Sequence, residues 1–391
     1  MINNNLKTIN IIHKQIPNLP KTGGFALENG KPNQTIKILN RCFITSDEKD
    51  FYTYINQLSD IYLEKVGTSA NFMHNFLILC HKDLSVDIYI NDLPICIEVL
   101  SKKDVKKDEL IYENDIADIR RLRFQGIEIK NTDNIIFCFK YGWKFGLFFD
   151  LTYQNKLNPK LDLNKLYFNL GTYYKKLAFQ YLYKVFENNN NYKKIRQDGW
   201  FPYIELIGSD YKELINAYIN KYDFTEKTNK IIAKFNGERI KKISEKWWKN
   251  SIYNEKKKII NAGINNFLKN DDEGFISAIK ILYPEIEGIL ATLFANETKM
   301  YSNKSEILLI FLKNKGLSRT NDIQSMLFPE FFSNFLQEYL FPKFDFIKDK
   351  KITLSKHTGS HGVVRSEEYT KIRALQAILI LDQIYFFIQK I

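Results

Sequence analysis

The sequence predicts an α+β protein, with a small β-rich N-terminal domain followed by a mainly α-helical half. Three observations carry that expectation. Short apolar runs bounded by turn formers recur before residue 150, and apolar residues at three- and four-residue steps dominate after it. The last segment, around Ala377-Ile378-Leu379-Ile380-Leu381, is apolar over most of a helix circumference. A chain of 391 residues exceeds one ordinary core, and its texture divides into 1–35, 36–152, 153–254 and 255–391.

Residues 1–35 hold Pro17, Pro20, Gly23, Gly24, Gly30 and Pro32 and read as an N-terminal arm. Over 45–65, Phe51, Tyr54, Ile55, Leu58, Ile61 and Tyr62 predict an amphipathic helix that starts at Ser46-Asp47-Glu48. Strands follow at 76–80, 86–90 and 95–100, the last two joined by Asn91-Asp92-Leu93-Pro94. Two more, at 134–139 and 145–149, are joined by Lys140-Tyr141-Gly142-Trp143-Lys144. Together they make a small α+β domain ending near Leu151.

Within that domain Arg120, Arg121 and Arg123 crowd together, and a planar guanidinium suits phosphate because it meets two oxygens at once. They are candidates for RNA binding; ion pairing with Asp115 and Asp118 is the alternative. Asp87 and Glu98, on successive strands, have the chemistry to hold a divalent ion. A Glu-x-Lys nuclease site would place lysine two residues beyond the glutamate, on the same strand face, but Leu100 stands there. The motif is broken, and no metal is expected.

Beyond 151 the spacing is helical. Leu166, Leu170, Tyr173, Leu177, Tyr181 and Val185 stripe one long helix over 163–187, ended by Asn188. Gly199-Trp200-Phe201-Pro202 is a turn, and helices are predicted at 214–222, 227–235, 239–252 and 256–270. The helix over 271–295 is capped by Asp271 or Asp272, and Pro284 is expected to kink or divide it. Glu285 and Glu287 on it read as exposed or salt-bridged. Two further helices are expected at 305–312 and 327–341, and the aromatic stripes read as core.

Ser366-Glu367-Glu368 reads as the start of a buried last helix reaching about Gln389, with Asp382 hydrogen-bonding a neighbouring helix. Just before it, Ser355-Lys356-His357-Thr358-Gly359-Ser360-His361-Gly362 holds two of the five histidines, four residues apart. Histidine titrates near neutral pH, so this pair beside Lys356 reads as an acid-base centre. The alternative is a pair of hydrogen-bonding loop and cap residues.

Lys356-His357-Thr358-Gly359-Ser360-His361-Gly362, with Arg373-Ala374-Leu375-Gln376 and Leu381-Asp382-Gln383-Ile384 behind it, resembles the C-terminal end of HEPN-type helical domains. Leu282-Tyr283-Pro284-Glu285-Ile286-Glu287-Gly288 is also similar to a helix of such domains, so the resemblance covers about 255–391. That family often carries Asn-Arg-His-x-x-x-His-Gly. The resemblance implies a compact, usually dimeric helical bundle whose protomers bring their motifs together in a cleft. Many members are metal-independent ribonucleases of toxin, phage-defence or RNA-processing systems, working without a cofactor. It assigns His361 the acid-base role, His357 the role of polar partner, and Lys356 that of the phosphate-stabilising cation.

Two positions depart from the family pattern: Lys356 stands where arginine is usual, and Ser355 where asparagine is frequent. Lysine offers a point charge in place of a bidentate fork, and Arg365 is the candidate substitute cation and RNA contact.

Composition narrows the classes. Hydrophobic residues at 45% and aromatics at 15% exclude a disordered or collagen-like chain. A net charge of +12 points to a polyanion, RNA first, although lysine spread through an Asn- and Ile-rich chain also follows from nucleotide bias. Cys42, Cys80, Cys96 and Cys138 show no zinc spacing and are expected as free thiols in the cytosol. No signal-like N-terminus or spanning apolar run is seen, so a soluble cytoplasmic protein with no membrane partner is expected. Two readings remain: an RNA-cleaving homodimer with an N-terminal sensing domain, or a non-catalytic dimerising scaffold that binds nucleic acid or protein.

Overall fold

The computed structural model describes residues 7–10, 25–26, 29–35, 38–39, 43–63, 67, 74–83, 85–150, 162–187, 190–220, 224–342 and 353–389. Pro17, Pro20, Gly23 and Gly24 of the expected arm, Cys42, and the element ends expected at Lys65, Leu151, Asn188 and Tyr222 lie outside these residues. The architecture is α+β as predicted, with strands up to residue 150 and helices dominating after it. Two compact units form, Met1–Val99 with Ile119–Gln180, and Leu100–Asp118 with Tyr181–Ile391.

The described strands are β1 (Lys7–Asn10), β2 (Phe25–Ala26), β3 (Ile38–Leu39), β4 (Phe43–Thr45), β5 (Phe76–Cys80), β6 (Ser85–Ile90), β7 (Ile95–Ser101), β8 (Ile116–Phe124), β9 (Asn134–Tyr141) and β10 (Lys144–Asp150). Six of them make an antiparallel sheet in the order β1-β6-β5-β9-β10-β4, while β2 pairs with β3 and β7 with β8. Register places Ile78 between Ile88 and Ile136.

The unbroken apolar run of β5 has a physical cause. Phe76, Ile78 and Cys80 pack with Phe51, Ile55 and Leu58 of α1 (Phe51–Leu58), while Leu77 and Leu79 pack with Leu166 and Leu170 of α2 (Leu163–Ala178). A strand buried on both faces needs no polar alternation. Helix α2 comes close to β8 at Gly171, where a Cβ would sit 2.8 Å from Arg121 Cα.

One first-unit expectation is corrected. Helix α1 starts only at Phe51 and continues as a π-helical turn over Ser59–Leu63. Thr45 ends β4, and Glu48 accepts the Thr45 N–H at 2.9 Å, so the residues expected to start a helix form a turn. The arginine-rich stretch is strand β8: Leu122 and Phe124 point into the core and Arg121 and Arg123 point out.

The remaining helices are α3 (Gln180–Lys184), α4 (Asn190–Gln197), α5 (Ser209–Asn220), α6 (Phe224–Ala233), α7 (Gly237–Glu245), α8 (Ser251–Glu255), α9 (Lys257–Leu268), α10 (Asp272–Thr298), α11 (Ser305–Thr320), α12 (Pro329–Tyr339), α13 (Lys356–Ser360) and α14 (Lys371–Ile388). The long helix expected over 163–187 breaks at Phe179, the C-cap of α2. Helix α14 packs against α9, α10 and α11 and is buried from Ala374 to Ile388. Three of its polar side chains reach partners there. Gln376 donates to the Asp198 carbonyl at 2.9 Å, Gln383 accepts the Ile204 N–H at 2.8 Å, and Asp382 accepts the Trp247 indole N–H at 2.7 Å.

Helix α10 runs through Pro284 undivided. Proline removes one N–H, and the packing of α9 and α14 along α10 holds the rest of the helix together. Asp271 caps it, accepting the Gly274 N–H at 2.7 Å. The cap of α14 is Thr370, which accepts the Arg373 N–H at 3.3 Å; Ser366–Glu368, expected to start the helix, is a separate 3-10 turn. Among the described residues no helix is long and apolar enough to cross a membrane.

Candidate functional site

The histidine segment folds because Ser355 and Thr358 cap each other. Ser355 Oγ accepts the Thr358 N–H at 3.2 Å, and Thr358 Oγ1 accepts the Ser355 N–H at 2.9 Å. The Lys356 N–H is tied to the Leu340 carbonyl at 2.9 Å, and the His361 N–H bonds the His357 carbonyl at 3.0 Å. Gly362, at φ 71°, turns the chain out of the helix, a conformation that favours glycine. The result is one rigid turn, α13, in which Lys356 and Ser360 form one stripe and His357 and His361 the next.

Helix α10 faces this turn. Lys356 Nζ meets Glu287 at 2.6 Å, both side chains about one-fifth exposed. Lys280, Tyr283, Pro284 and Glu287 follow at helical spacing on α10, and the first three, with Lys356, Ser360 and Tyr369, line a groove of about 290 Å³. His357 is half-buried and His361 exposed. Burial, then the Lys356 ammonium, hold the His357 imidazole below its ordinary pKa; Glu287 opposes this and His361 adds a little. A neutral imidazole beside a cation is able to take a proton, and an exposed second imidazole one turn away is placed to give one.

Beneath the groove, Tyr283 is 2% exposed, and its hydroxyl lies near Tyr339 and Arg373. The Arg373 guanidinium sits 4.3 Å from the centre of the Tyr339 ring, and the Tyr339 hydroxyl donates to Gln376. Burial works against the charge on Arg373, but Tyr339 and Tyr283 outweigh it and raise its pKa.

The other sequence candidates lie elsewhere. Arg365 is exposed in the connection after α13, as the N-cap residue of the 3-10 turn. Arg121 and Arg123 pair with Glu98 at 3.4 and 2.6 Å, each about two-fifths exposed; Arg120, also on β8, is half-buried. The expected aspartate partners are engaged otherwise: Asp118 is buried and accepts the Ser325 hydroxyl at 2.6 Å, and Asp115 pairs with Lys103 at 3.2 Å. Asp87 meets His81 Nε2 at 3.1 Å and Glu98 meets Arg123 at 2.6 Å, so each carboxylate has a nitrogen partner of its own. Among the described residues no group of three or more His, Cys, Asp and Glu residues is arranged to hold a metal ion.

No protein-family model, curated protein or solved structure matches this chain. Glu287 was legible as a salt-bridge candidate, but its partner, Lys356, was not. Lys280, Tyr283 and Tyr369 were missed. The 280, 283, 284, 287 spacing on one helix was the available signal, though it marks a face and not the neighbour opposite.

Proposed function

We propose that the α13 turn is the acid-base centre of a metal-independent, HEPN-like endoribonuclease that acts as a homodimer, of the toxin or phage-defence kind. The observation that carries this reading is the pair of histidines, one turn apart, beside the Lys356–Glu287 ion pair and an open groove. His357, kept neutral by burial and Lys356, takes the 2′-hydroxyl proton. The 2′-oxygen attacks the adjacent phosphorus as the bond to the 5′-oxygen breaks, leaving a 2′,3′-cyclic phosphate. His361 is the group placed to supply a proton to the departing oxygen, and Lys356 offsets charge on the phosphate. His357 thus shares acid-base work that the family resemblance gives to His361 alone.

The test is incubation of labelled single-stranded RNA with the protein in EDTA. Cleavage with cyclic-phosphate ends is expected, falling about 100-fold or more in His361→Ala and His357→Ala. Wild-type protein that leaves RNA intact, or a His361→Ala variant as active as wild type, overturns the reading. A non-catalytic scaffold is favoured by one observation: the Lys356–Glu287 pair also serves to clasp α13 to α10. The histidine variants separate the two.

A further inference from the structure

We infer that the groove between α10 and α13 is a subsite for one nucleotide of single-stranded RNA, seating an unpaired base against Tyr369 and Tyr283 while its phosphate meets Lys280. The inference rests on the proposed cleavage of RNA and names how that RNA is held. At about 290 Å³ the groove is near the lower limit of small-ligand sites, which suits one nucleotide and excludes a duplex.

Its chemistry is mixed in the way a nucleotide requires. Tyr369 supplies an aromatic wall, and the Lys280 ammonium lies 5.8 Å from its ring centre. Lys280 is exposed and has no carboxylate partner among the described residues, so a stacked base displaces its head from the ring toward a phosphate at little cost. The Tyr283 ring lines the same groove, its hydroxyl end buried away from it near Tyr339 and Arg373.

Pro284 lines the groove beside Lys280, one turn along the same face of α10. Lys356 and Ser360 line the groove from α13, and His357 and His361 form the adjoining stripe of the same turn. A nucleotide held in the groove therefore brings its flanking phosphodiester to the imidazoles.

The test uses uncleavable 2′-O-methyl oligoribonucleotides, single-stranded and as a duplex, with fluorescence anisotropy as readout. Single strands are expected to bind about 10-fold or more tightly than the duplex. Tyr369→Ala is expected to weaken single-strand binding roughly 5- to 100-fold, while Tyr369→Phe stays close to wild type. Because Tyr369 is buried, Lys280→Glu on the exposed rim provides a second variant, with weaker binding expected and the fold unchanged. If both variants bind like wild type, or the duplex binds as well as the single strand, the subsite is overturned, even if wild type cuts unmodified RNA. If the variants lose binding as expected but wild type cuts nothing, the subsite stands and the ribonuclease reading falls.

Discussion

His357 carries the most specific chemical expectation at the residue scale. Its folded-state pKa is depressed by burial and by Lys356, so it loses its proton at a lower pH than an ordinary imidazole. An NMR titration of His357 is therefore expected to show a midpoint below its ordinary value of 6.5, and the acid limb of RNA cleavage to lie in the same range. Lys356→Met removes the neighbouring ammonium and is expected to move the midpoint up; a midpoint unmoved by this change would remove Lys356 from the account. The histidine pair was legible in the sequence because its spacing is local. Glu287 was not legible as the partner of Lys356, because α10 and α13 meet only through tertiary packing. Asp382 shows the same limit: a carboxylate in a helix buried all round predicts a hydrogen bond, but Trp247 and Lys246 stand more than 130 residues away in sequence.

At the scale of elements, β5, β9 and the buried α14 were legible because their apolar patterns are continuous, whereas β8 was hidden by arginines where an exposed strand face carries charge. Near the end of the β5–β6 hairpin, His81 bridges Asp133 at 2.9 Å and Asp87 at 3.1 Å. Burial disfavours its charge, but the hydrogen bonds to Asp133 and then Asp87 outweigh that, and its folded pKa is raised above 6.5. A raised histidine pKa means that folding binds a proton. The stabilisation is fully present below about pH 6.5 and is lost as pH rises through the higher folded-state value. Urea denaturation followed by fluorescence of the first unit is expected to show stability falling as pH rises through this window. His81→Gln is expected to flatten that dependence; an unchanged pH profile in the variant would rule out His81 as its source.

For the whole molecule, composition correctly separated a strand-rich beginning from a helical remainder. That residues 100–118 cluster with the helical unit was illegible, because the contacts responsible are distant in sequence: Lys102 donates to the Ile207 carbonyl at 2.7 Å, and Asn114 accepts the Ser209 N–H at 3.0 Å. Net charge, +12 from 57 basic and 45 acidic residues, was legible, but its sign alone does not tell which cations are available to a polyanion. The structure ranks them. Arg121 and Arg123 already share Glu98, whereas Lys280 has no carboxylate partner among the described residues. A cation already paired must give up that pair to neutralise a phosphate, and it releases fewer counterions on doing so. Single-stranded RNA affinity is therefore expected to fall linearly with salt on a logarithmic plot. Lys280→Ala is expected to reduce the slope by about 0.7, and Arg121→Ala or Arg123→Ala by less. Anisotropy titrations across a salt series measure all three slopes. If the two arginine variants lose more slope than Lys280→Ala, the phosphates run along β8, and the groove beside α13 is not where the RNA is held.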